Sequence, residues 1–452
     1  MTREIDMLNG SLWKNLLLYS IPLMFSNVLQ VLFNMSDVIV VGRFAGPVAL
    51  GSVGSTTTLV QLTTGIMFGI GTGINAIVAF HTGAGEKNLV RRAVHTAFII
   101  SLLTGLILAV LGLTSSRFFL SILGTKDELI RGAKLYLSVY LLGSPALALY
   151  NYGNAILTAI GDTKRPLLYL SISGVINILL NLFFVIVLKL SVLGVALASI
   201  ISQYLSCILI LVHLTHLDEE IALCVKDIKW DRVLSREILK IGIPISMQHA
   251  LFSLSNLFVQ ASINYFDHRV VEGCAAAGNA DNLVYDMMAA FYTASTSFIS
   301  QNYGAKKISR IKAVYLITTL YSFIVGLVLG GLIWLFREQF LSLFTTNDEV
   351  IRYGSERLLV MGASFCISAF MDNAAAASRG LGKSVGPTVI VIMGTIVFRI
   401  IWIYTVFRSF HTLTSLFLVY PTSWIFTAIG ANIYFIYHLR KLSSSKNTSF
   451  AL

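Results

Sequence analysis

Charged residues are scarce in this chain of 452 residues. Asp, Glu, Lys and Arg together make up 12% of the sequence, whereas apolar residues make up 56%, and the mean hydropathy is +0.78. A water-soluble core of this size cannot bury so much apolar surface. The composition therefore excludes an ordinary soluble protein and predicts an integral membrane protein.

Cysteine patterns are missing as well. The four cysteines have no CxxC spacing, which argues against a redox or metal site. The net charge of +11 falls mostly in predicted loops and gives no nucleic-acid footprint. We therefore expect no resident metal, no cofactor, no nucleic-acid partner and no enzymatic activity. The first apolar run lacks a small-residue cleavage site, so we expect it to remain as the first helix.

An internal repeat covers almost the whole chain. The segments FLSILGTKDELIR (119–131) and FLSLFTTNDEVIR (340–352) are identical at eight of thirteen positions and lie 221 residues apart. Gly161 of GDTKRP and Gly382 of GKSVGP keep the same offset. A repeat of half the chain length predicts two copies of one long unit.

Each copy contains six apolar segments long enough to cross a hydrocarbon layer roughly 30 Å thick. We predict spans at about 13–42, 50–80, 93–114, 129–160, 167–188 and 192–214, and at about 238–266, 274–301, 313–336, 349–378, 388–407 and 413–437. An even number of spans per copy makes the copies parallel. The predicted fold is an all-α integral membrane protein with twelve transmembrane helices in two pseudo-symmetric six-helix bundles.

The predicted domains are a first lobe (1–214), a cytoplasmic linker (215–237), a second lobe (238–439) and a cytoplasmic tail (440–452). For the linker we weigh an amphipathic surface helix against a solvated connection. We count the basic residues of each loop with the amino terminus provisionally in the cytoplasm. This gives 21 on the cytoplasmic side, which include Arg379, and 11 on the external side, which include Arg357. The positive-inside rule then predicts both termini in the cytoplasm of a multi-pass plasma-membrane protein.

Polar residues form a stripe on the first predicted helix. Asn27, Gln30, Asn34 and Asp37 follow one another at spacings of 3, 4 and 3, which a helix facing only lipid would not carry. Asp37 is the strongest functional candidate because an intramembrane carboxylate is costly and tends to face a cavity. Single amides are more often packing contacts.

Further polar positions extend the candidate site. In the first lobe these are Asn151, Asn154, Asn177, Asn181 and Ser199, and in the second lobe His249, Asn256 and Gln260. The second lobe also carries Asp281, Asp286, Asp372 and Arg399 within spans. These charged residues could form a structural Asp–Arg pair or a substrate site, and we expect the two equally. Three acids against one arginine predict a surplus of negative charge in this lobe.

Several motifs together resemble the multidrug and toxic compound extrusion (MATE) family. They are IPLMFSNVLQVLFNMSDVIVVGRFAG in the first helix, the GAGE and YGAK turns, AIGDTKRP, and GVALASIISQ. The resemblance spans the whole chain. It implies two six-helix bundles in a V and a central cavity for amphipathic organic cations, with export driven by inward movement of H⁺ or Na⁺.

The resemblance also assigns roles. It implies coupling of H⁺ or Na⁺ at Asp37, Asn177, Asn181 and Ser199, to which we add Asn34, and a hinge at Pro22. We predict that substrate contacts come from Asn27, Gln30, Asn151, Asn154, His249, Asn256, Gln260, Asp286, Asp372 and Arg399. Asn177 and Asn181 form a pair in the fifth predicted span. Part of the family has an aspartate at the second of these positions, whereas this chain has Asn181. Asp37 is therefore the only carboxylate of the first lobe's site.

We expect a monomer that binds small organic cations and membrane lipids. A lipid-precursor flippase of the same superfamily is the main alternative, although it predicts a strongly basic cavity. A membrane-embedded prenyl- or phosphotransferase would need clustered carboxylates for Mg²⁺, and Asp281 with Asp286 is a poor match. The paired, hinged lobes disfavour a passive channel.

Overall fold

The protein is helical throughout its described part. A computed structural model describes residues 4–218 and 221–444, and every regular element within them is a helix. This confirms the predicted all-α fold class. Of the predicted carboxyl-terminal tail (440–452), residues 445–452 lie outside the described residues.

Eight α-helices lie in the first half of the chain, and a π-helical stretch, Phe183–Val187, follows the seventh. They are α1 (Leu12–Phe44), α2 (Pro47–Gly54), α3 (Thr57–Ala84), α4 (Lys87–Ile122), α5 (Asp127–Leu142), α6 (Ser144–Ala159), α7 (Lys164–Leu182) and α8 (Ser191–Thr215).

Ten α-helices lie in the second half. They are α9 (Arg232–Ile263), α10 (His268–Gly304), α11 (Ile308–Leu335), α12 (Arg337–Ser342), α13 (Asp348–Gly380), α14 (Val385–Val391), α15 (Phe398–Trp402), α16 (Arg408–Phe410), α17 (Leu413–Phe417) and α18 (Val419–Ser444). Two π-helical stretches, Ile392–Val397 and Ile403–Phe407, flank α15.

Length and apolar composition identify the membrane spans. Within the described residues, nine helices can cross a membrane, or ten if α5 and α6, which meet at 46°, form one bent span. The helices α9 and α10 are long but too polar to meet the same criterion. Many large apolar side chains are exposed, as Leu106 and Ile107 of α4 are, and such a surface suits contact with lipid.

The chain folds into two compact units whose boundaries fall inside α1 and α9. One unit contains Phe25–Ser246 and the residues before Asp6, and the other contains Asp6–Met24 and the chain from Met247 onward. Each boundary lies two residues after a proline, Pro22 in α1 and Pro244 in α9. The first part of each of these helices therefore packs in a different unit from its second part.

Glycines in α3 allow the first part of α9 to approach closely within the first unit. A Cβ added to Gly73 would lie 2.5 Å from the carbonyl oxygen of Ile238, and one added to Gly69 would lie 2.4 Å from the amide nitrogen of Ser246. Ser246 also donates a hydrogen bond to the carbonyl of Ile66, at 2.8 Å. This is the close helix packing that small-residue spacing favours.

The linker does not form the amphipathic helix that was one of two expectations. Its described residues before Arg232 contain only a 3₁₀ turn, Val225–Asp227. Arg91 pairs with Asp227 at 2.5 Å, Arg92 pairs with Asp231, and the backbone N–H of Cys224 donates to His95 at 3.1 Å. The described part of the linker before α9 is therefore an irregular segment, and these polar contacts fix it to the start of α4.

The segment before α1 is fixed in a similar way within the second unit. Asn302 donates to the carbonyl of Met7 at 3.0 Å, and Lys307 donates to the carbonyl of Leu8 at 2.9 Å. Asn302 lies in the last turn of α10, and Lys307 lies in the short turn that precedes α11. The junction between α10 and α11 therefore holds the segment that precedes α1, as the start of α4 holds the linker that precedes α9.

Candidate functional site

Asp37 lies at the meeting point of α1, α7 and α8 in the first unit. Its Oδ1 accepts a hydrogen bond from Asn181 Nδ2 at 2.5 Å, and its Oδ2 accepts one from Ser199 Oγ at 3.2 Å. The adjacent Val40 and Val41 are buried. The structure thus brings together three of the residues predicted for ion coupling.

A second layer of hydrogen bonds supports this cluster. Asn181 Nδ2 also donates to Asn177 Oδ1 at 3.1 Å, and Asn177 Nδ2 donates to Ser202 Oγ at 3.3 Å. Ser202 in turn donates to the carbonyl of Ser199 at 2.9 Å. Asn177 therefore acts on Asp37 through Asn181, while Ser202 closes the network back to Ser199.

The Asp37 cluster is rich in oxygen atoms. Asn181 is fully buried, and its Oδ1 has no hydrogen-bond partner among the described residues. Together with the two carboxylate oxygens of Asp37 and the hydroxyl of Ser199, it forms a set of the hard oxygen donors that small cations prefer. The same carboxylate can instead take a proton. The donor set is therefore chemically suited to either a proton or a small monovalent cation.

The remaining polar residues of the first lobe lie outside this network. Asn34 and Gln30 are exposed and Asn27 is half-buried, and no hydrogen bond joins Asn34 to Asp37 across the described chain. Asn151 donates to the carbonyl of Leu147 in its own helix at 2.9 Å, and Asn154 is half-buried. Contrary to expectation, Asn34 does not join the coupling cluster, because it lies one turn from Asp37 on an exposed part of α1.

In the second unit, Asp281 of α10 pairs with Arg357 of α13. Arg357 Nη2 lies 2.6 Å from Asp281 Oδ2, and its Nη1 donates to the carbonyl of Cys274 at 3.1 Å. Both charged side chains are largely buried. The expected intramembrane ion pair therefore exists, but its base is Arg357 and not Arg399.

A second buried arginine, Arg379, stands near the end of α13. Its Nη2 donates to Gln248 Oε1 at 2.8 Å, and it lies within electrostatic range of Asp372. Tyr285 of α10 lies near Asp372 of α13. The predicted surplus of negative charge is therefore wrong, because Arg357 and Arg379 were assigned to loops and both are buried within the second unit.

Arg399 is buried between aromatic rings. Its guanidinium carbon lies 4.5 Å from the ring centre of Tyr420 and 5.7 Å from that of Phe252, and only 3% of the residue is exposed. Of the other predicted cavity residues in this unit, His249 and Asp286 are half-buried, while Asn256 and Gln260 are exposed. Gln260 of α9 donates to Asn264, the first residue after that helix, at 3.0 Å.

Comparison with known proteins decides the family. The MatE family model matches the chain twice, over residues 22–183 and 244–405. The chain belongs to the MATE family. The two matches start 222 residues apart, in agreement with the internal repeat.

Alignments with similar proteins cover most of this MATE chain. The probable multidrug resistance protein YoeA of Bacillus subtilis is 28% identical over 390 residues, covering 84% of each chain. YpnP of the same organism, also a probable multidrug resistance protein, is 26% identical over 361 residues, covering 79% of this chain and 80% of its own. A crystal structure of MATE in the bent conformation has the same fold, with a TM-score of 0.91 at 23% identity, covering 99% of this chain and 100% of the other. The protein is thus a multi-pass membrane transporter.

Sequence reasoning missed several polar residues of this MATE protein. Ser202 follows Ser199 by three positions in GVALASIISQ, so the helical spacing carried a usable signal. Tyr136 of α5 lies near Ser199 of α8, and no pattern in the sequence connects these two helices. Arg357 and Arg379 were missed because a charge near the end of an apolar run is normally assigned to a loop.

Proposed function

We propose that this MATE protein is a secondary active antiporter that exports amphipathic organic cations in exchange for H⁺ or Na⁺. The single observation that carries the proposal is the half-buried Asp37 held by Asn181 and Ser199. The names of its bacterial relatives as multidrug resistance proteins support the export of drugs. No cofactor other than the coupling ion enters this proposal.

Asp37 is the switch in the proposed cycle. While ionised, it attracts a cationic cargo and accepts the hydrogen bonds from Asn181 and Ser199. An incoming proton or Na⁺ neutralises it, and both the attraction for the cargo and the charge-assisted hydrogen bonds weaken. The cargo is then released, and the hydrogen bonds around Asp37 change to a second arrangement.

Helix α1 carries this local change toward Pro22. Proline lacks the N–H that would complete the helical ladder, so bending costs less there than elsewhere in α1. Pro22 lies two residues before the point where α1 passes from one compact unit to the other. A bend at this position is a two-state element of the kind that alternating access requires.

The membrane potential favours the inward step of this cycle. One positive charge moving inward gains about 2.3 kcal/mol per 100 mV, and a singly charged cargo moving outward costs the same amount. In a one-for-one exchange the two cancel, so the concentration gradient of the coupling ion supplies the net driving force. We place the transporter in the plasma membrane as a monomer with both termini in the cytoplasm, following the distribution of basic residues.

The flippase alternative is less well supported by the second unit. A lipid-linked pyrophosphate would need several basic groups free to bind it. Arg357 is paired with Asp281, and Arg379 lies near Asp372. One guanidinium, that of Arg399, cannot neutralise a pyrophosphate, so an organic cation remains the better cargo.

The proposal is tested with purified protein in proteoliposomes loaded with ethidium. Efflux is followed after a pH gradient or a sodium gradient is imposed separately, and we expect one of the two to accelerate efflux while the other does not. Efflux that responds to neither gradient, with ethidium or with any other lipophilic amine, would contradict the antiport proposal.

The matched variants are Asp37→Asn and Ser171→Ala. Asp37→Asn keeps the size of the side chain but removes its charge, and we expect it to abolish gradient-driven efflux at unchanged membrane expression. Ser171 bonds only to the carbonyl of Leu167 in its own helix, at 2.7 Å, so Ser171→Ala should transport normally. Normal efflux by Asp37→Asn would refute the role assigned to this carboxylate.

A further inference from the structure

Arg399 differs from the two other buried arginines of the second unit. Arg357 has Asp281 as an ion-pair partner, and Arg379 has the amide of Gln248 and lies near Asp372. Across the described chain, no hydrogen bond and no ion pair reaches the guanidinium of Arg399, and its Nε is enclosed without an acceptor. The hydrogen-bonding capacity of this cation is therefore unused.

An unpaired cation inside a membrane protein needs a physical reason. Burying a charge without a partner is strongly unfavourable, and intramembrane arginines usually pair with acids or mark a ligand pathway. The intramembrane acids of this unit do not satisfy Arg399: Asp281 is bound to Arg357, Asp372 lies within electrostatic range of Arg379, and neither these nor Asp286 forms a hydrogen bond or ion pair with Arg399 in the described chain. A ligand with a negative group would supply the partner that the protein lacks.

The aromatic surroundings of Arg399 suit an amphipathic ligand. The rings of Tyr420 and Phe252 lie 4.5 Å and 5.7 Å from its guanidinium carbon, and such cation–π contacts stabilise the charge without using its N–H donors. Tyr285 is within electrostatic range and is 37% exposed. Aromatic surface thus adjoins a planar set of donors whose fork matches a carboxylate.

The backbone around Arg399 is irregular in a way that is typical of functional positions. The helix α15 has only five residues, and π-helical stretches of six and five residues lie on either side of it. π-helical turns inside α-helices occur frequently at functional sites. The repeat counterpart, after α7, has one such stretch, Phe183–Val187, so the second unit carries an additional distortion next to Arg399.

We propose that Arg399 is a binding site for a carboxylate, or another singly charged anionic group, on the cargo. The preferred cargo is then an amphipathic zwitterion, whose anionic group is held by the guanidinium of Arg399. This inference rests on the proposed function and narrows its substrate class from cations in general to molecules that carry both charges.

The test uses two dyes that differ in one group. Rhodamine 110 has a free carboxylate, and rhodamine 123 is its methyl ester. Binding of each to purified protein is measured by fluorescence anisotropy without any ion gradient. We expect Arg399→Gln to weaken rhodamine 110 binding by at least about tenfold, as loss of a charge-assisted hydrogen bond implies. Rhodamine 123 binding should stay unchanged or tighten, because a like charge has been removed.

Arg399→Lys provides a second variant if Arg399→Gln does not fold. Lysine keeps the charge but loses the forked geometry, so it should weaken rhodamine 110 binding by a smaller factor and leave rhodamine 123 unaffected. Equal changes for both dyes, or no change for either, would assign Arg399 a purely structural role and overturn the proposal.

Two further measurements complete the test. The first distinguishes a lipid anion from an anionic group on the cargo, and the second distinguishes failure of this inference from failure of the proposed function. If added phosphatidylglycerol abolishes the selective effect on rhodamine 110, a lipid phosphate occupies the site and the inference about cargo is wrong. Gradient-driven efflux of rhodamine 123 by the wild type tests the proposed function independently. Efflux that proceeds normally while Arg399→Gln shows no dye selectivity would overturn only this inference.

Discussion

Asn181 donates a hydrogen bond to Asp37 across two helices at 2.5 Å, and the same amide nitrogen lies 3.1 Å from Asn177 Oδ1. The side-chain amide of Asn181 therefore joins Asp37 to Asn177, the other asparagine of the pair on α7. The position of Asn181 decides how firmly Asp37 is held in its ionised state.

Replacing Asn181 by Leu should reduce gradient-driven transport. Leucine has a similar volume but removes both the donor to Asp37 and the unpartnered Oδ1. A hydrogen bond to a charged group contributes roughly 1.5–3 kcal/mol, so we expect initial rates of ethidium efflux to fall at least about tenfold. Ser171→Ala in the same helix is the control, and equal rates for the two variants would contradict this role for Asn181.

The glycines of α3 should differ sharply in their tolerance of a methyl group. A Cβ on Gly73 would meet backbone at 2.5 Å, whereas one on Gly71 would lie 3.7 Å from the carbonyl oxygen of Asn151, an ordinary contact. Overpacking of this kind costs typically about 1–3 kcal/mol. We expect Gly73→Ala to lower the melting temperature and Gly71→Ala to leave it nearly unchanged, as measured by thermal unfolding in detergent. Identical melting temperatures would rule out the close approach at Gly73.

Breaking the buried ion pair should destabilise the second unit. Asp281→Asn leaves Arg357 buried without its partner, and such a loss costs roughly 3–5 kcal/mol. The control is Glu349→Gln, which breaks the exposed pair with Arg269 and should cost less than about 1 kcal/mol.

Denaturant titration of Asp281→Asn, Arg357→Gln, the double variant Asp281→Asn/Arg357→Gln and the control Glu349→Gln measures these effects. Because the double variant removes both charges, it should recover part of the loss. A double variant as unstable as the sum of its single changes would show that the pair does not couple.

The linker should loosen at acidic pH. The hydrogen bond from Arg91 holds the pKa of Asp227 below its ordinary value of 3.8. Burial would raise the pKa of Asp231, but hydrogen bonds from Leu234, Arg92 and Val233 outweigh it and lower that pKa. Groups with a depressed pKa in the folded state contribute stability above the unfolded-state value, and this contribution is lost as the pH falls through the folded-state value.

We therefore expect the hydrogen-exchange protection factors of residues 222–231 to be constant above about pH 5 and to fall as the pH drops below the ordinary aspartate pKa. Asp227→Asn should show partly increased exchange already at neutral pH, because it lacks the charge that Arg91 binds. Protection that is the same in Asp227→Asn and in the wild type would show that the pair with Arg91 does not hold the linker.

The sequence was sufficient for the architecture because its strongest signals are long and repetitive. The repeat at 119–131 and 340–352 predicted two equivalent halves, and the family matches at 22–183 and 244–405 confirm it. The Asp37 cluster was predicted from the family resemblance, and the structure places Asn181 and Ser199 against this carboxylate. Its ion-coupling role stays a prediction.

Other features could not be predicted because they depend on non-local contacts. Hydropathy assigns Arg357 and Arg379 to the ends of apolar runs, but the buried partners Asp281 and Gln248 come from other helices. No periodicity marks which part of α1 or α9 belongs to which compact unit. The fixing of the linker by Arg91 and His95 likewise depends on residues more than 120 positions away.

The assignment of Asp6–Met24 to one unit and of the chain up to Ser246 to the other has a consequence for biosynthesis. Domains usually fold as units, the amino-terminal one first, as the chain leaves the ribosome. Here the earlier unit stays incomplete until Ser246 has been translated, well after the last helix of the first repeat. The unit completed later includes Asp6–Met24, a segment that is made at the very start of synthesis. The residues against which this segment packs are translated only after more than half of the chain has been made.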